Sequence, residues 1–401
     1  MNRERFPAVM AADTRGRVLA DNAAGAQLPD TALERTNRFL TYDNAPKGHG
    51  FSRSDATYAL VAEAKGEFAA LIDRPLESVG IGLNATSTAL AFSRLVARTV
   101  RRGDRVVVTA ADHSANVTPW TWLRHFGAQI EVIPVDDRGD LDETAFASAL
   151  ALDPVLVALP WASNATGTIF DIARYARAAK KSGALVVVDG VQALPHFALT
   201  IDPTIDLAFF SAYKVYAPHL GFWYLGPSAR DRFLEQGDAQ PAGGDPRLWT
   251  LEVGTQSHEA LAGWLGTCAY LRDIAPTPRE AMAKIADYEA ELASYARERF
   301  AERAPHVRLY GRPPNAGRLP LFAFNITGVA SDELAARFER AGVEARVGDY
   351  LSPRLMHAVA RDAHGRAIRI SFAHYTTTTD IDRCFDVVDA ASERRPQGVT
   401  G

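Results

Sequence analysis

Leu185-Val186-Val187-Val188-Asp189-Gly190-Val191-Gln192-Ala193, with Leu207-Ala208-Phe209-Phe210-Ser211-Ala212-Tyr213-Lys214 close behind it, carries most of what this chain says about its architecture. Each segment opens on an unbroken apolar run, the pattern of a strand covered on both faces. Each run then ends on polar chemistry: Asp189 in the first, Ser211 and Lys214 in the second. Similar runs lie upstream at Arg105-Val106-Val107-Val108-Thr109, at residues 130–133 and at residues 155–159. Helical stretches separate them, such as residues 171–181, closed by Ser182-Gly183 in the manner of a C-cap. Repeated strand–helix–strand units predict an α/β fold with a mostly parallel, doubly wound sheet, whose ligands bind beyond the carboxyl ends of the strands.

The texture changes after Glu259. Residues 258–274 read as an apolar helix, Ala275-Pro276-Thr277-Pro278 breaks it, and residues 279–304 read as a long amphipathic helix. Strand candidates follow at residues 322–324 and 367–370. The expected organisation is a large domain over residues 21–274 and a smaller α+β domain built from residues 1–20 and 275–401.

Asp189 and Lys214 place a carboxylate and an amine at the ends of two sheet strands, 25 residues apart. Singly, a strand-end aspartate is ordinarily a cap or turn residue, and a lone lysine a solvated charge. Together they suit pyridoxal 5'-phosphate (PLP). The lysine forms a Schiff base with the cofactor and the aspartate keeps the pyridine nitrogen protonated, so that the ring serves as an electron sink. Asn84-Ala85-Thr86-Ser87 precedes an apolar helix, where hydroxyls and free N–H groups can meet a phosphate dianion as well as cap the helix.

At these residues the chain resembles the class V aminotransferases, a family of fold-type I PLP enzymes, and most nearly its cysteine desulfurase and selenocysteine lyase branch. The resemblance rests on Val188-Asp189-Gly190-Val191-Gln192-Ala193 and on Phe210-Ser211-Ala212-Tyr213-Lys214-Val215-Tyr216-Ala217-Pro218-His219-Leu220-Gly221. It extends from Asp21-Asn22-Ala23-Ala24 to Ser371-Phe372-Ala373-His374-Tyr375. It implies Lys214 as the cofactor lysine and catalytic base, Asp189 as the partner of the pyridine nitrogen, and His113, in Asp112-His113-Ser114-Ala115-Asn116, stacked on the ring. Thr86, Ser87, Ser211 and Tyr213 are implied as phosphate ligands, although Tyr213 stands where desulfurases usually carry histidine. Asn164 and Gln192 are implied near the ring hydroxyl. Arg369 is implied as the clamp on the substrate carboxylate, with Arg346 as a second arginine. Glu252-Val253-Gly254-Thr255 resembles a loop that reaches the phosphate of a neighbouring subunit, which implies a homodimer with shared active sites and Thr255 as a cofactor ligand in trans.

The pattern breaks at one place. Desulfurases carry a nucleophilic cysteine on the loop after the second arginine, and its thiolate takes sulfur as a persulfide. Here the loop reads Val347-Gly348-Asp349-Tyr350-Leu351-Ser352-Pro353, and Leu351 stands nearest that position. Cys268 and Cys384, the only cysteines, fall in apolar helical stretches and read as packing residues. Chemistry without a protein thiol remains. A C–S lyase that eliminates the β-substituent of cysteine or a derivative ranks first. Epimerisation, transamination and carbon–carbon bond chemistry are alternatives, and a non-catalytic PLP-binding protein is a remote one. Side-chain specificity is expected around residues 349–353 and in residues 42–55, which include Gly48, His49, Gly50 and Arg53.

Composition narrows the remaining classes. The 401 residues are 47% hydrophobic and carry 44 Lys and Arg against 48 Asp and Glu, for a net charge of −4. No basic stripe points to a nucleic acid. No apolar run approaches the roughly 20 residues of a membrane span, and no signal peptide is apparent at the N-terminus. Two cysteines give neither a disulfide framework nor a metal cluster. The expectation is a cytoplasmic enzyme with a small-molecule amino-acid substrate, no metal, no nucleic-acid partner and no membrane association.

Overall fold

The structure is a computed structural model that describes residues 2–48, 50–233, 251–304, 306–312 and 317–393. Its centre is a seven-stranded sheet. In chain order the strands are β1 (Val79–Gly82), β2 (Arg105–Thr109), β3 (Gln129–Ile133), β4 (Leu156–Pro160), β5 (Leu185–Asp189), β6 (Leu207–Ser211) and β7 (Gly221–Leu225). They lie side by side as β1-β7-β6-β5-β4-β2-β3. All run parallel except β7, which pairs antiparallel with both β6 and β1. The carboxyl ends of β2, β4, β5 and β6 therefore open on one edge.

The apolar runs are continuous because both faces are covered. Val186, Val188, Ala208 and Phe210 join the core on one side, while Leu185, Val187, Leu207 and Phe209 join the core on the other. Fully burying each larger side chain contributes about 1.5–3 kcal/mol. The predicted boundaries shift by one to three residues, for local reasons. Helix α1 (Ala85–Ala97) starts just after Asn84, whose side chain accepts the Ser87 N–H in a capping box. Helix α2 (Ile172–Lys181) begins after Asp171, which caps the Arg174 N–H. Helix α3 (His258–Ile274) lies where expected. Helix α4 (Pro278–Ala301) opens on a Thr277–Glu280 capping box, with Pro278 in the first turn where its missing N–H goes unused.

A second, antiparallel sheet holds β8 (Val307–Leu309), β9 (Leu321–Ile326), β10 (Arg346–Gly348) and β11 (Ala367–Ser371), in the order β10-β11-β9-β8. Helix α4 serves both cores: Met282 and Ile285 pack with the large sheet, Leu292 and Phe300 with the small one. The N-terminal segment is likewise divided. Phe6 and Val9 pack beneath the large sheet, whereas Val18 and Ala20 join the core of the small one. Among the described residues no helix is long and apolar enough to cross a membrane.

Candidate active site

Strand β5 delivers Asp189 at its last position, and the chain can turn at once because Gly190 follows. A Cβ there would lie 2.2 Å from the Phe210 ring. Strand β6 ends at Ser211, and a single 3-10 turn, Ala212–Lys214, carries the lysine back over the strand ends. His113 follows the end of β2, and Asn164 the end of β4. These residues meet in one cleft, lined by Thr86, His113, Asn164, Asp189, Gln192, Ser211, Tyr213 and Lys214 among others.

The charges in this cleft are held away from their ordinary states. Burial pushes the Asp189 carboxyl up to about 6, against the pull of the Val191 N–H and Lys214. Its Oδ1 accepts that N–H at 2.9 Å, and no cation of the described residues lies within ion-pair distance. Burial, reinforced by Arg369, lowers the Lys214 amine to about 8. Its Nζ donates to Gln192 Oε1 at 3.2 Å. His113 is lowered to about 4 by burial and by the positive charges of Lys214 and Arg369, so it is neutral. Its Nδ1 accepts the Ala115 N–H at 3.0 Å, which leaves Nε2 as the protonated nitrogen.

Arg369 is 2% exposed. Its Nη1 donates to the Asn164 carbonyl at 2.7 Å and its Nη2 to Asp21 Oδ1 at 2.8 Å, while its Nε has no partner among the described residues. Arg346, half-exposed, donates through Nε to the other Asp21 oxygen at 2.8 Å. One carboxylate therefore ties the two arginines together. Asp21 lay in a quoted motif without a role; the contact crosses more than three hundred residues, so local sequence offered no signal for it.

Loop 349–353 is fixed firmly. The Asn164 amide donates to the Tyr350 carbonyl at 2.8 Å and accepts from Ser352 Oγ at 2.8 Å. The Leu351 carbonyl accepts from both the backbone N–H and the hydroxyl of Ser114, at 2.7 and 2.9 Å. These bonds hold Tyr350 and Leu351 at φ of 57° and 59°, a left-handed conformation that side chains resist, and leave Leu351 61% exposed.

Two expected ligands stand apart. Ser87 uses its hydroxyl in the helix cap, to the Asn84 backbone, and faces a neighbouring cavity rather than the cleft. Thr255 is exposed, beside Glu252, Val253 and Gln256, which line that same neighbouring cavity. Tyr213 lines the cleft and stacks on His219 with ring centroids 4.8 Å apart. Cys268 and Cys384 are fully buried outside the cleft, and burial pushes both thiols up. His49, expected in a specificity loop, lies outside the described residues. Among the described residues no group of acids, histidines and cysteines could hold a metal.

The donor set fits PLP. An amine lowered towards neutrality, a carboxylate without a cation, a neutral imidazole and the hydroxyls of Thr86 and Ser211 complement its aldehyde, ring nitrogen, ring face and phosphate.

Comparison with known proteins agrees with this chemistry. The sequence model of the family Aminotransferase class-V matches residues 18–384. An aminotransferase-like protein of Gibberella zeae is 28% identical over 399 residues, covering 95% of each chain. A cysteine desulfurase of Pectobacterium carotovorum is 28% identical over 402 residues, again with 95% of each covered. Among solved structures, the apo cysteine desulfurase of Thermococcus onnurineus superposes with a TM-score of 0.87 at 22% identity, over 98% of this chain and 97% of that one.

Proposed function

The chain belongs to the class V aminotransferases, fold-type I enzymes that use PLP, and on that premise we propose that it is a C–S lyase that eliminates the β-substituent of cysteine or a cysteine derivative. When bound, PLP supplies an electron sink for the carbanion left by loss of an α-proton. In this reading Asp189 holds the ring nitrogen, and the neutral His113 ring covers one ring face. Thr86, Ser211 and Tyr213 take the phosphate, and Ser87, whose N–H and hydroxyl both bond Asn84, holds the helix start beside it. Asn164 and Gln192 border the ring hydroxyl, and Arg369, steadied by Asp21 and Arg346, grips the substrate carboxylate. Lys214 takes the α-proton through Nζ, since an amine lowered to about 8 has an appreciable free-base fraction near neutral pH.

The observation that carries the choice of reaction is the placement of sulfur. Both thiols are buried away from the cleft, and the exposed tip of the 349–353 loop is Leu351. With no thiolate to receive it, the sulfur leaves with the substrate fragment: cysteine and water give pyruvate, ammonia and sulfide. Incubation with cysteine or cystine should yield pyruvate and ammonia, and Cys268→Ala with Cys384→Ser should leave turnover within about twofold. Alanine as the product, with one reducible sulfur added to Cys268 or Cys384 by intact-protein mass spectrometry, would refute the lyase reading. If neither pyruvate nor alanine forms, the epimerase, transaminase and carbon–carbon readings take precedence, and spectral inertness to every amino acid favours a non-catalytic binder.

The shared-site homodimer remains part of the proposal. It is supported by exposed apolar Leu83, Leu90 and Val253 around the cavity beside Thr255. The division at residues 21–274, with a second domain from the two chain ends, and a cytoplasmic location are retained on the same footing.

A further inference from the structure

The buried face of α4 is apolar apart from one residue. Among Ala281, Met282, Ile285, Leu292, Ala293, Ala296 and Phe300 lies Glu289, only 2% exposed. Burial raises its carboxyl, and a buried carboxylate is strongly destabilising unless it is paired. Its partner is His196, also buried, with Nδ1 2.6 Å from Glu289 Oε2. His196 stands four residues after Gln192, and its Nε2 is 3.4 Å from Gln192 Nε2. The other end of that amide receives the Lys214 Nζ. A continuous buried chain thus runs from a helix outside the cleft to the lysine inside it.

The polarity of this chain follows from counting protons. Lys214 Nζ donates to Gln192 Oε1, so the NH₂ end of that amide faces His196 Nε2, which accepts, and the proton shared with Glu289 Oε2 over 2.6 Å sits on His196 Nδ1. In the neutral imidazole Nε2 is then bare and can only accept. It accepts only from the NH₂ end of Gln192, which turns Oε1 towards Lys214. A side-chain amide alone does not specify which end points where; its network does. We propose that Glu289 and His196 are positioning residues that fix the amide of Gln192, so that the nitrogen of Lys214 always meets a hydrogen-bond acceptor. The titratable groups around Lys214 are Asp189, Asp21, Arg369, Arg346 and His113; those around Glu289 are His196, Tyr216 and Tyr375, with the His374 backbone N–H, and His374 itself faces His196. Gln192 alone among the described side chains hydrogen-bonds both Lys214 and His196.

Two measurements on the full-length holoenzyme test this, and neither is turnover. In ¹⁵N-histidine-labelled protein, the resonances assigned to His196 by their loss in His196→Leu should show Nδ1 protonated and Nε2 bare. The opposite tautomer overturns the proposal, and the more conservative His196→Gln supplies the assignment should His196→Leu fail to fold. Next, the pH midpoint of the cofactor absorbance reports protonation of the nitrogen that Lys214 contributes. His196→Leu should lower that midpoint by about one unit, the scale of one lost hydrogen bond to a charged group. In a Gln192→Met background the same change should have no further effect, because the path runs through the amide. An undiminished shift there, or no shift in either background, overturns the proposal. The purpose of the device rests on Lys214 holding the cofactor; should trapping place the cofactor elsewhere, the His196 tautomer still reports separately on the positioning chain.

Discussion

Two lysine–aspartate pairs occupy opposite edges of the same sheet. At the amino-terminal edge, Lys180 at the end of α2 meets Asp206, just before β6, with Nζ 2.6 and 2.7 Å from the two carboxylate oxygens. Asp206 Oδ2 also takes the Val186 N–H, so this buried carboxylate is fully satisfied. At the carboxyl-terminal edge, Asp189 and Lys214 share a cleft without touching, and burial drives each towards its neutral form. The closed pair stitches a helix to the sheet. The open pair is kept apart and under-satisfied, the condition in which titratable groups do chemistry.

The largest effect belongs to the open pair's amine. Lys214→Ala should reduce turnover on the order of 1,000-fold or more, the range associated with loss of a positioned base, whereas Lys180→Met should leave turnover near normal. Comparable losses from both would dissolve the contrast.

Asp189→Asn separates the pairs in a second way. The folded carboxyl is raised from 3.8 to about 6, so the folded state binds more protons than the unfolded chain within that window. Stability therefore falls as pH rises through it, and the penalty persists above pH 6. Removing the charge should stabilise the cofactor-free protein by about 3 kcal/mol at neutral pH, read by denaturant unfolding. It should also lower turnover about 10- to 100-fold, through loss of a charge-assisted hydrogen bond. Loss of both stability and activity would show that Asp189 is a structural residue after all.

The smallest effect tests the closed pair. Lys180→Met leaves Asp206 buried without its cation, and because the Lys180 side chain is 35% exposed, water screens part of the consequence. A loss of about 1–2 kcal/mol is expected, with turnover unchanged. Unchanged stability would mean that the closed pair holds nothing.

How far the sequence reveals this contrast is instructive. Strands β2 to β6 were legible because burial on both faces writes itself as unbroken apolar runs. Asp189 and Lys214 were legible because they sit where such runs stop. Spacing alone could not separate the pairs: Lys180 and Asp206 are 26 residues apart, nearly the interval between Asp189 and Lys214. What separates them is which strand end each occupies, and that follows from parallel order. Thr86, His113, Asn164, Gln192, Ser211 and Tyr213 line one cleft, while the hydroxyl of Ser87 was absorbed by its own helix cap, a reading left open by the Asn84-Ala85-Thr86-Ser87 stretch itself. The Asp21 bridge and the Glu289–His196 pair were not legible, because each joins segments brought together only by the fold. No local pattern on α4 marks Glu289 as inward-facing beyond its place among apolar neighbours.

The account stands most directly on where the cofactor is attached. Borohydride reduction of the purified holoenzyme, followed by proteolysis and peptide mass spectrometry, should place a single reduced cofactor on Lys214. An adduct on Lys180, on Lys181 or on any other lysine would contradict it.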